Sequence, residues 1–387
     1  MRMALAMKQT NRREFLRTVS TATIAAGASR SFLRGAAPAN GRQRVFLGSL
    51  TLDGILAYDW DPATAELTRV GVAASVPKVA WLALSHGVDF VYSASELNTF
   101  EGKPTGEVAS FRVVNGELQP LSARNSAGTG TAHVAVDKTG RMLIAADYTG
   151  ASAASFRIED GRLSEAVWTE HYTIHGPNPV RQPTAHAHFS SFSPDNRFAY
   201  INDLGGDSIH IYRPDPQTAS MKPAGTFKGA PGSGPRTLHF HPNGRTAYCM
   251  NEIVSTVDVL EWHKGDGSLT LKNTIALLPA DSKGTSTGCD TVISNDGRFV
   301  YFANRGDNFL YSFRADTKTG ELTAMNRSTC GGKTPRNFAL DPTEQWMLVA
   351  NQDSNVITIL RRDRRTGELA EEGRNVDAPT PMRILFA

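Results

Sequence analysis

The chain has 387 residues, of which 40% are apolar and three are cysteines, and its 41 Lys and Arg against 38 Asp and Glu give a formal net charge of +3. This composition excludes a fully disordered chain, a collagen-like fibre and a small disulfide-framed protein, and the length allows a core without covalent cross-links. No uninterrupted apolar run reaches the roughly 18–20 residues that a membrane-spanning helix requires.

The first 39 residues differ from the remainder of the chain. Asn11–Arg17 (NRREFLR) precedes a stretch of small and mildly apolar residues at 19–28, and Ala37–Ala39 offers a small-x-small cleavage motif. Two adjacent arginines followed by Phe-Leu and a basic residue resemble a twin-arginine export signal, recognised by the twin-arginine export machinery. This resemblance implies a bacterial periplasmic or secreted product without a membrane anchor; the alternative is a basic N-terminus of a cytosolic protein.

The positive charge balance belongs to this first segment. Residues 1–39 hold seven of the 41 basic residues and one of the 38 acidic residues, so 34 basic and 37 acidic residues remain in the predicted mature chain. Because the remainder is slightly acidic, composition gives no argument for a nucleic-acid partner.

Residues 40–387 contain an internal repeat of about fifty residues. The clearest copies are Asp195–Tyr200 (DNRFAY), Asn243–Tyr248 (NGRTAY) and Asp296–Tyr301 (DGRFVY). Together with weaker copies they give seven units, whose anchor positions are 44, 89, 141, 197, 245, 298 and 345. We therefore predict one domain, residues 40–387, built from seven structural repeats.

Each unit has the same order of segments, illustrated by the last one. A short apolar segment at 337–340 and a polar turn precede an apolar run at 346–350, an alternating strand at 356–360 and a Gly-containing turn at 366–369. Such turns between strand patterns are hairpin signals, because Gly adopts positive φ at little cost. Four antiparallel strands repeated seven times predict an all-β, seven-bladed β-propeller, with a solenoid or a pair of sandwiches as the structural alternative.

The two ends of the domain are predicted to close the ring. The first unit begins at Arg44 with a second-strand pattern and lacks an inner strand, whereas the chain ends in the strand pattern Met382–Phe386. That C-terminal strand should complete the first blade and remove the open sheet edges. No apolar period of 3.6 residues is sustained, so helix is expected to be minor.

Titratable side chains occur at equivalent positions of different repeats. Six residues before the turn proline stand His188, Arg236 and Arg336, and seven residues after the anchor stand Glu96, Glu252, Arg305 and Gln352. A scaffold would prefer small or apolar residues at equivalent channel-facing positions, so this variation predicts a site at one channel mouth. Imidazole or carboxylate can act as a general base on water, and guanidinium groups bind anions and stabilise a developing oxyanion.

Structural roles are the alternatives for these residues. His186 and His188 alternate on one strand and could share a metal, but no further His or Asp ligand lies near them, so no metal is predicted. Arg336 could pair with an acidic residue of a neighbouring blade, and Arg236 with Glu252 could form a structural ion pair. The chain has no Gly-x-Ser-x-Gly elbow, so a hydrolase-fold nucleophile is not predicted, and it has no phosphate loop or dinucleotide fingerprint. Its cysteines are expected to be buried or half-buried free thiols.

Several of these segments resemble the seven-bladed propeller lactonase family, which includes bacterial propeller-type 6-phosphogluconolactonases and fungal carboxymuconate cycloisomerases. The resemblance rests on Gly234–Arg245, Asn251-Glu252, Ser294–Gly306 and Thr334–Pro342, and it extends from about residue 44 to the C-terminus.

The resemblance implies a cofactor-free, metal-independent carboxylic-ester hydrolase. The catalytic residues that it implies are His188, Arg236, Glu252 and Arg305. Either Glu252 or His188 would be the base on water, and the two arginines would hold the acid or phosphate group and the developing oxyanion. His186 and Arg336 are the further candidates for substrate binding.

The predicted function is therefore the opening of a small-molecule sugar lactone, as in 6-phosphogluconolactonases. Those enzymes serve a cytosolic sugar-phosphate pathway, whereas this chain carries a predicted export segment. An exported enzyme would rarely meet the phosphorylated lactone, so we predict lactone hydrolysis without assigning that substrate. Two alternatives are an exported propeller that only binds a carbohydrate or protein partner, and a muconate-type cycloisomerase that forms a lactone.

Overall fold

The computed structural model describes residues 42–279 and 286–387, and the proposed export segment lies outside these residues. Within them the secondary structure consists of 28 β-strands in seven four-stranded sheets. Each sheet corresponds to one sequence repeat, and each repeat anchor lies within two residues of the start of a second strand. The all-β, seven-bladed propeller is thus confirmed. In the described part of the chain no helix has the length and apolar character that membrane crossing demands.

The four strands of each blade follow one another outward from the central channel. The inner strands of blades one to seven are β28 (Pro381–Phe386), β4 (Val79–Leu84), β8 (Thr131–Val136), β12 (Ala187–Phe192), β16 (Pro235–Phe240), β20 (Thr287–Ile293) and β24 (Pro335–Leu340). The second strands are β1 (Gln43–Ser49), β5 (Phe90–Ser95), β9 (Met142–Asp147), β13 (Ala199–Asp203), β17 (Thr246–Asn251), β21 (Phe299–Arg305) and β25 (Trp346–Asn351).

The third and outer strands complete each blade as hairpins. The third strands are β2 (Ile55–Asp61), β6 (Glu107–Val114), β10 (Ser152–Glu159), β14 (Ser208–Asp215), β18 (Thr256–Trp262), β22 (Phe309–Ala315) and β26 (Val356–Arg361). The outer strands are β3 (Glu66–Ala74), β7 (Glu117–Asn125), β11 (Arg162–His171), β15 (Ser220–Lys228), β19 (Leu269–Ala276), β23 (Leu322–Thr329) and β27 (Arg374–Asp377).

The ring closes as the sequence predicts. The C-terminal strand β28 pairs antiparallel with β1, with Phe386 opposite Val45 and Ile384 opposite Leu47. Blade one therefore contains the last and the first strands of the fold, and its sheet order is β28-β1-β2-β3. This pairing ties the two ends of the fold together and gives β1 a partner on its inner side.

The hydrophobic core is divided among the contacts between consecutive blades. Seven buried clusters fill the seven interfaces, and the interface that closes the ring packs Leu348 and Ile357 of blade seven against Tyr58 and Trp60 of blade one. The three cysteines, Cys249, Cys289 and Cys330, are buried and unpaired in these interfaces, which confirms the prediction of free thiols. Because every interface is apolar, the fold can present polar side chains at the channel without weakening its core.

The tyrosine that ends the repeat motif ties consecutive blades together. In the three clearest copies its buried hydroxyl donates to a glycine carbonyl in the outer hairpin of the next blade, from Tyr200 to Gly267 (2.8 Å), Tyr248 to Gly320 (2.7 Å) and Tyr301 to Gly367 (2.6 Å). The three glycines have φ values of 82°, 74° and 81°, which the hairpin turn requires. The tyrosine and the glycine turn that mark the repeat in the sequence are therefore the donor and the acceptor of one hydrogen bond between blades.

Candidate active site

Every inner strand contains a β-bulge at the same register, and this bulge presents the predicted site residues. In blade five Pro235 pairs with Asn251 and Thr237 pairs with Met250, so Arg236 is the extra residue between them. His188 and Arg336 occupy the same position in blades four and seven. Since a bulged residue is released from the regular alternation of the strand, all three side chains can line the channel mouth.

A second set of side chains comes from the ends of the second strands. The backbone N–H of Glu252 donates to the carbonyl of Gly234 (2.8 Å), which fixes the residue beside the start of its own inner strand. Glu96 and Tyr148 make the corresponding bonds in blades two and three, each 2.9 Å long. Arg305 ends β21 at the equivalent position of blade six. Strand ends and bulges thus bring residues from six blades to one mouth.

These residues surround a cavity of about 380 Å³. Its lining includes Glu96, Tyr148, Arg181, His188, Arg236, Glu252, Arg305 and Arg336. The four arginines exceed the two carboxylates, so the cavity has an excess of positive charge that favours an anionic group or a developing oxyanion. Five of the six predicted site residues line this cavity.

His186, the sixth predicted residue, lies beside the cavity and not in its lining. Its ring stacks on Tyr148 with centroids 4.2 Å apart and an interplanar angle of 7°. Its Nδ1 donates to the backbone carbonyl of Tyr148 at 2.9 Å. His186 therefore supports the wall that Tyr148 forms.

Glu252 is the centre of the charged network. Its side chain is 2% exposed, and its two oxygens contact the guanidinium groups of Arg181, Arg236 and Arg305, the last at 2.9 Å. Burial alone would raise the pKa of Glu252, but Arg305 and Arg236 outweigh it and hold that pKa well below the usual range. The carboxylate is therefore ionised and serves as the common partner of three arginines.

The orientation of Arg236 is fixed from two sides. Its Nε donates to the carbonyl of Cys289 in blade six at 2.7 Å. Its Nη1 contacts both Glu252 and the Nε2 of His188. Because a guanidinium group can only donate, Nε2 of His188 must accept, and the proton of this imidazole is on Nδ1.

His188 is neutral in this arrangement. It is buried, and burial followed by the charge of Arg236 lowers its pKa well below 6.5. The sequence offers two groups as base. The lone pair of the neutral His188 is engaged by Arg236 alone, whereas the oxygens of the ionised Glu252 contact three cations.

Tyr148 and Arg181, which contact the other site residues, are absent from the sequence prediction. Tyr148 stands seven residues after its anchor, the register already used for Glu252, so the repeat contained the signal for it. Arg181 lies in the connection 172–186 between β11 and β12, which has no equivalent in the repeat. Gln182 secures this connection by donating to the Leu204 carbonyl (2.9 Å) and to Asp207 (2.7 Å).

Known proteins match both this fold and this chain. Residues 44–386 match the family described as lactonase, 7-bladed beta-propeller. The chain is 33% identical to a 6-phosphogluconolactonase of Formosa agariphila, over 79% of this chain and 88% of that protein, and 30% identical to the 6-phosphogluconolactonase of Bacillus subtilis, over 77% and 84%. The structure of a periplasmic gluconolactonase of Pseudomonas aeruginosa is 29% identical with a TM-score of 0.83, covering 89% of this chain and 99% of that one. This chain belongs to the seven-bladed β-propeller lactonase family.

Proposed function

We propose that this protein is a metal-independent lactonase that opens a sugar lactone in the cavity at the channel mouth. Family membership and relatives named for gluconolactone and its 6-phosphate support lactone ester hydrolysis. The observation that carries the proposal is the neutral His188 beside a carboxylate that contacts three arginines. This set provides a base for water and cations for the oxyanion, which are the two requirements of ester hydrolysis.

In this proposal His188 is the base and Glu252 orients the arginines. A carboxylate with three cationic partners is a weak base, since protonation would remove the negative charge that all three arginines stabilise. When the lactone carbonyl binds Arg236 and Arg305, Nη1 of Arg236 is drawn away from His188. Nε2 is then free to remove a proton from the attacking water while the water oxygen forms a bond to the lactone carbonyl carbon.

The arginines receive the charge that this attack creates. The carbonyl oxygen becomes an oxyanion in the tetrahedral intermediate, and the guanidinium groups of Arg236 and Arg305 stabilise it. Collapse of the intermediate breaks the ring C–O bond, and the leaving oxygen takes the proton held by His188. The product is the open-chain hydroxy acid, which loses its carboxyl proton to solvent, and the resulting carboxylate stays next to the arginines until it is released.

The proposed substrate is an unphosphorylated sugar lactone of the gluconolactone type. Arg336 is the one cavity arginine that contacts Glu96, at 3.4 Å, and not Glu252. Such a pair can hydrogen-bond sugar hydroxyls with both partners, and it lowers the positive charge available for a phosphate. The apparent export segment supports the same choice.

The activity test uses the purified full-length protein. Proton release from δ-gluconolactone, followed with a pH indicator, should exceed the buffer blank, and the 6-phosphorylated lactone should react more slowly at equal concentration. A double variant, Arg236→Ala with Glu252→Gln, should fall to the blank, while Arg298→Ala on the opposite face of the ring should not change the rate.

Three outcomes contradict the proposal in different ways. A wild-type rate equal to the blank for both lactones rejects hydrolysis. If a cis,cis-muconate is instead converted to a lactone, the protein is a cycloisomerase. If neither reaction occurs, the propeller is a binding protein.

We also propose that residues 1–39 are a cleaved twin-arginine signal and that residues 40–387 act in the periplasm or outside the cell. In a bacterial host with this pathway, Arg12→Lys with Arg13→Lys should retain the protein in the cytoplasm. The matched change of Arg30 and Arg34 to Lys should leave export intact. Wild-type protein recovered only in the cytoplasmic fraction with residues 1–39 intact would reject this assignment.

A further inference from the structure

Next to the active-site cavity the channel contains a second, smaller and less open space. It has a volume of about 20 Å³, which is sufficient for one water molecule. His188 belongs to the lining of both spaces, whereas His133, Thr237 and Asp290 belong only to the smaller one. These three residues stand one position further along their inner strands than the bulge, so the smaller space lies directly behind His188.

Three polar atoms of this lining are buried and have no hydrogen-bond partner within residues 42–279 and 286–387. They are Nδ1 of His188, Nε2 of His133 and Oγ1 of Thr237, in side chains of residues that are 7%, 4% and 3% exposed. The interactions of the other ring nitrogens show which of these atoms carry protons. Arg236 donates to Nε2 of His188, and the N–H of Ser190 donates to Nδ1 of His133 at 3.3 Å. Nδ1 of His188 and Nε2 of His133 are therefore both N–H donors.

Asp290 completes the set as an acceptor. Its Oδ1 receives the N–H of Thr291 (2.8 Å) and lies 3.2 Å from Nε2 of His239, and its Oδ2 receives Nδ2 of Asn337 (2.7 Å). One lone pair on Oδ2 is left. Arg236 and Arg336 also line this space. His188, His133, Thr237 and Asp290 together offer two N–H donors and two acceptors, which is the number and kind of partners that one water satisfies.

We propose that this space binds one ordered water, which accepts hydrogen bonds from His188 and His133 and donates to Thr237 and Asp290. His133 and Thr237 are then positioning residues for His188. The proposal rests on the proposed function, because it assigns His188 the role of base.

The water would hold the tautomer of that base when the bound lactone draws Arg236 away, and it would raise the strength of the base. An acceptor behind Nδ1–H keeps the lone pair on Nε2, the nitrogen that faces the active site. It also stabilises the positive charge that the ring gains when it takes a proton, as an oriented acceptor does behind a catalytic histidine. The other charged groups around the ring are Arg236, Glu252, Arg305 and Arg336, and they are the same with or without the water.

The kinetic test removes one hydroxyl at a time. Thr237→Val should lower kcat about tenfold, in line with one lost buried hydrogen bond, and leave KM unchanged. The acidic limb of the kcat profile should move to lower pH, because His188 becomes a weaker base. Thr237→Ser should restore both. The matched control is Thr291→Val, which removes another buried, unpartnered hydroxyl of an inner strand outside this lining and should have no effect.

A direct test follows the tautomer. In full-length protein labelled with ¹⁵N-histidine, the signals of His188, assigned by their loss in His188→Asn, should show a proton on Nδ1. Thr237→Val should keep this tautomer, which Arg236 fixes in the free protein, but should move the Nδ1–H proton signal upfield, because the hydrogen bond to the water is weakened. A wild-type Nε2–H form, or a Thr237→Val protein with the wild-type kcat and pH profile, would overturn the proposal. If the wild type hydrolyses no lactone, the proposed function fails, and the NMR result still decides the water separately.

Discussion

The bulge register divides the propeller into two arcs with the same backbone and different chemistry. In blades four to seven it carries His188, Arg236, Cys289 and Arg336. In blades one to three it carries Met382, Ala80 and Ala132. All the bulge residues with a role in the proposed function belong to the first set. The residues of the second set are apolar and buried.

The comparison shows that the scaffold repeats a geometry and the side chain alone decides the function at each position. A bulge in the apolar arc would present a charged residue equally well, but Ala80 and Ala132 leave the space that the cavity and the proposed water site need. The residues that converge on Glu252 come from blades five and six and from the connection 172–186 that precedes blade four. The following changes test whether the chemistry is confined to this arc.

The largest effect is expected for His188→Asn. Loss of the base should lower kcat about 10³-fold, within the range for general base catalysis. In the wild type the rate should fall only when the pH drops below the pKa of His188, which lies well under 6.5, so activity should be flat across neutral pH. The variant should lose this acidic limb. A pH–rate profile measures both, and His263→Asn, a histidine on an outer hairpin, should match the wild type.

Arg236→Ala should lower kcat/KM by about 10²–10³, since it removes one oxyanion donor and one partner of Glu252. Arg336→Ala is the matched change in the same arc. Arg336 has a single ionic contact at 3.4 Å and a partly exposed side chain, so its loss should act mainly through KM and be about tenfold smaller. Melting curves check that both variants fold. Equal losses of kcat in both variants would show that Arg236 and Arg336 do not have separate roles in oxyanion stabilisation and substrate binding.

The sequence predicts the architecture of these arcs better than the details of the site. The repeat spacing identifies seven blades and the closing strand, because the tyrosine and glycine of each inter-blade contact recur in the chain. The same alignment finds Arg236, Glu252 and Arg305. It does not show the bulges, since an inserted residue leaves the strand pattern intact, nor Arg181, which lies outside the repeat. The neutral state of His188 depends on burial and on Arg236, which are properties of the folded chain.

The blades also differ at the position just before the one that Glu252 occupies in blade five. It carries Asn251, Asn304 and Asn351 in blades five to seven but Asp147 in blade three. Asp147 is fully buried, and its oxygens accept hydrogen bonds from the hydroxyls of Thr131 (2.8 Å) and Ser152 (3.0 Å). Burial raises the pKa of Asp147 to about 7.

Asp147→Asn should therefore stabilise the protein at neutral pH. Because the folded-state pKa lies above the unfolded one, the stability that Asp147 contributes is full below about pH 4 and declines as the pH rises to about 7. The variant should lose this decline and gain on the order of 2 kcal/mol in the free energy of unfolding at pH 8. Denaturation at several pH values measures it.

Asp203 gives the control for this change in the neighbouring blade. It occupies the same position, but it accepts the backbone N–H groups of His186 (2.7 Å) and Gly206 (2.9 Å). Its other oxygen, Oδ2, is buried without a hydrogen-bond partner in the described part of the chain, so an amide N–H₂ group in its place would leave a buried donor unsatisfied, and Asp203→Asn should bring no gain at pH 8. If both variants gain equally, the effect comes from removing net charge and not from the burial of Asp147.

The smallest effect concerns the contact that links the blades. Tyr248→Phe removes the hydrogen bond to the Gly320 carbonyl (2.7 Å) between blades five and six and should cost about 1 kcal/mol in the free energy of unfolding. Tyr92 of blade two is equally buried, and its hydroxyl has no hydrogen-bond partner in the described part of the chain. Tyr92→Phe removes an unsatisfied polar group and should be neutral or slightly stabilising. Urea unfolding of both variants separates the two cases, and equal losses would mean that the tyrosine stabilises the ring through its packed phenyl ring alone.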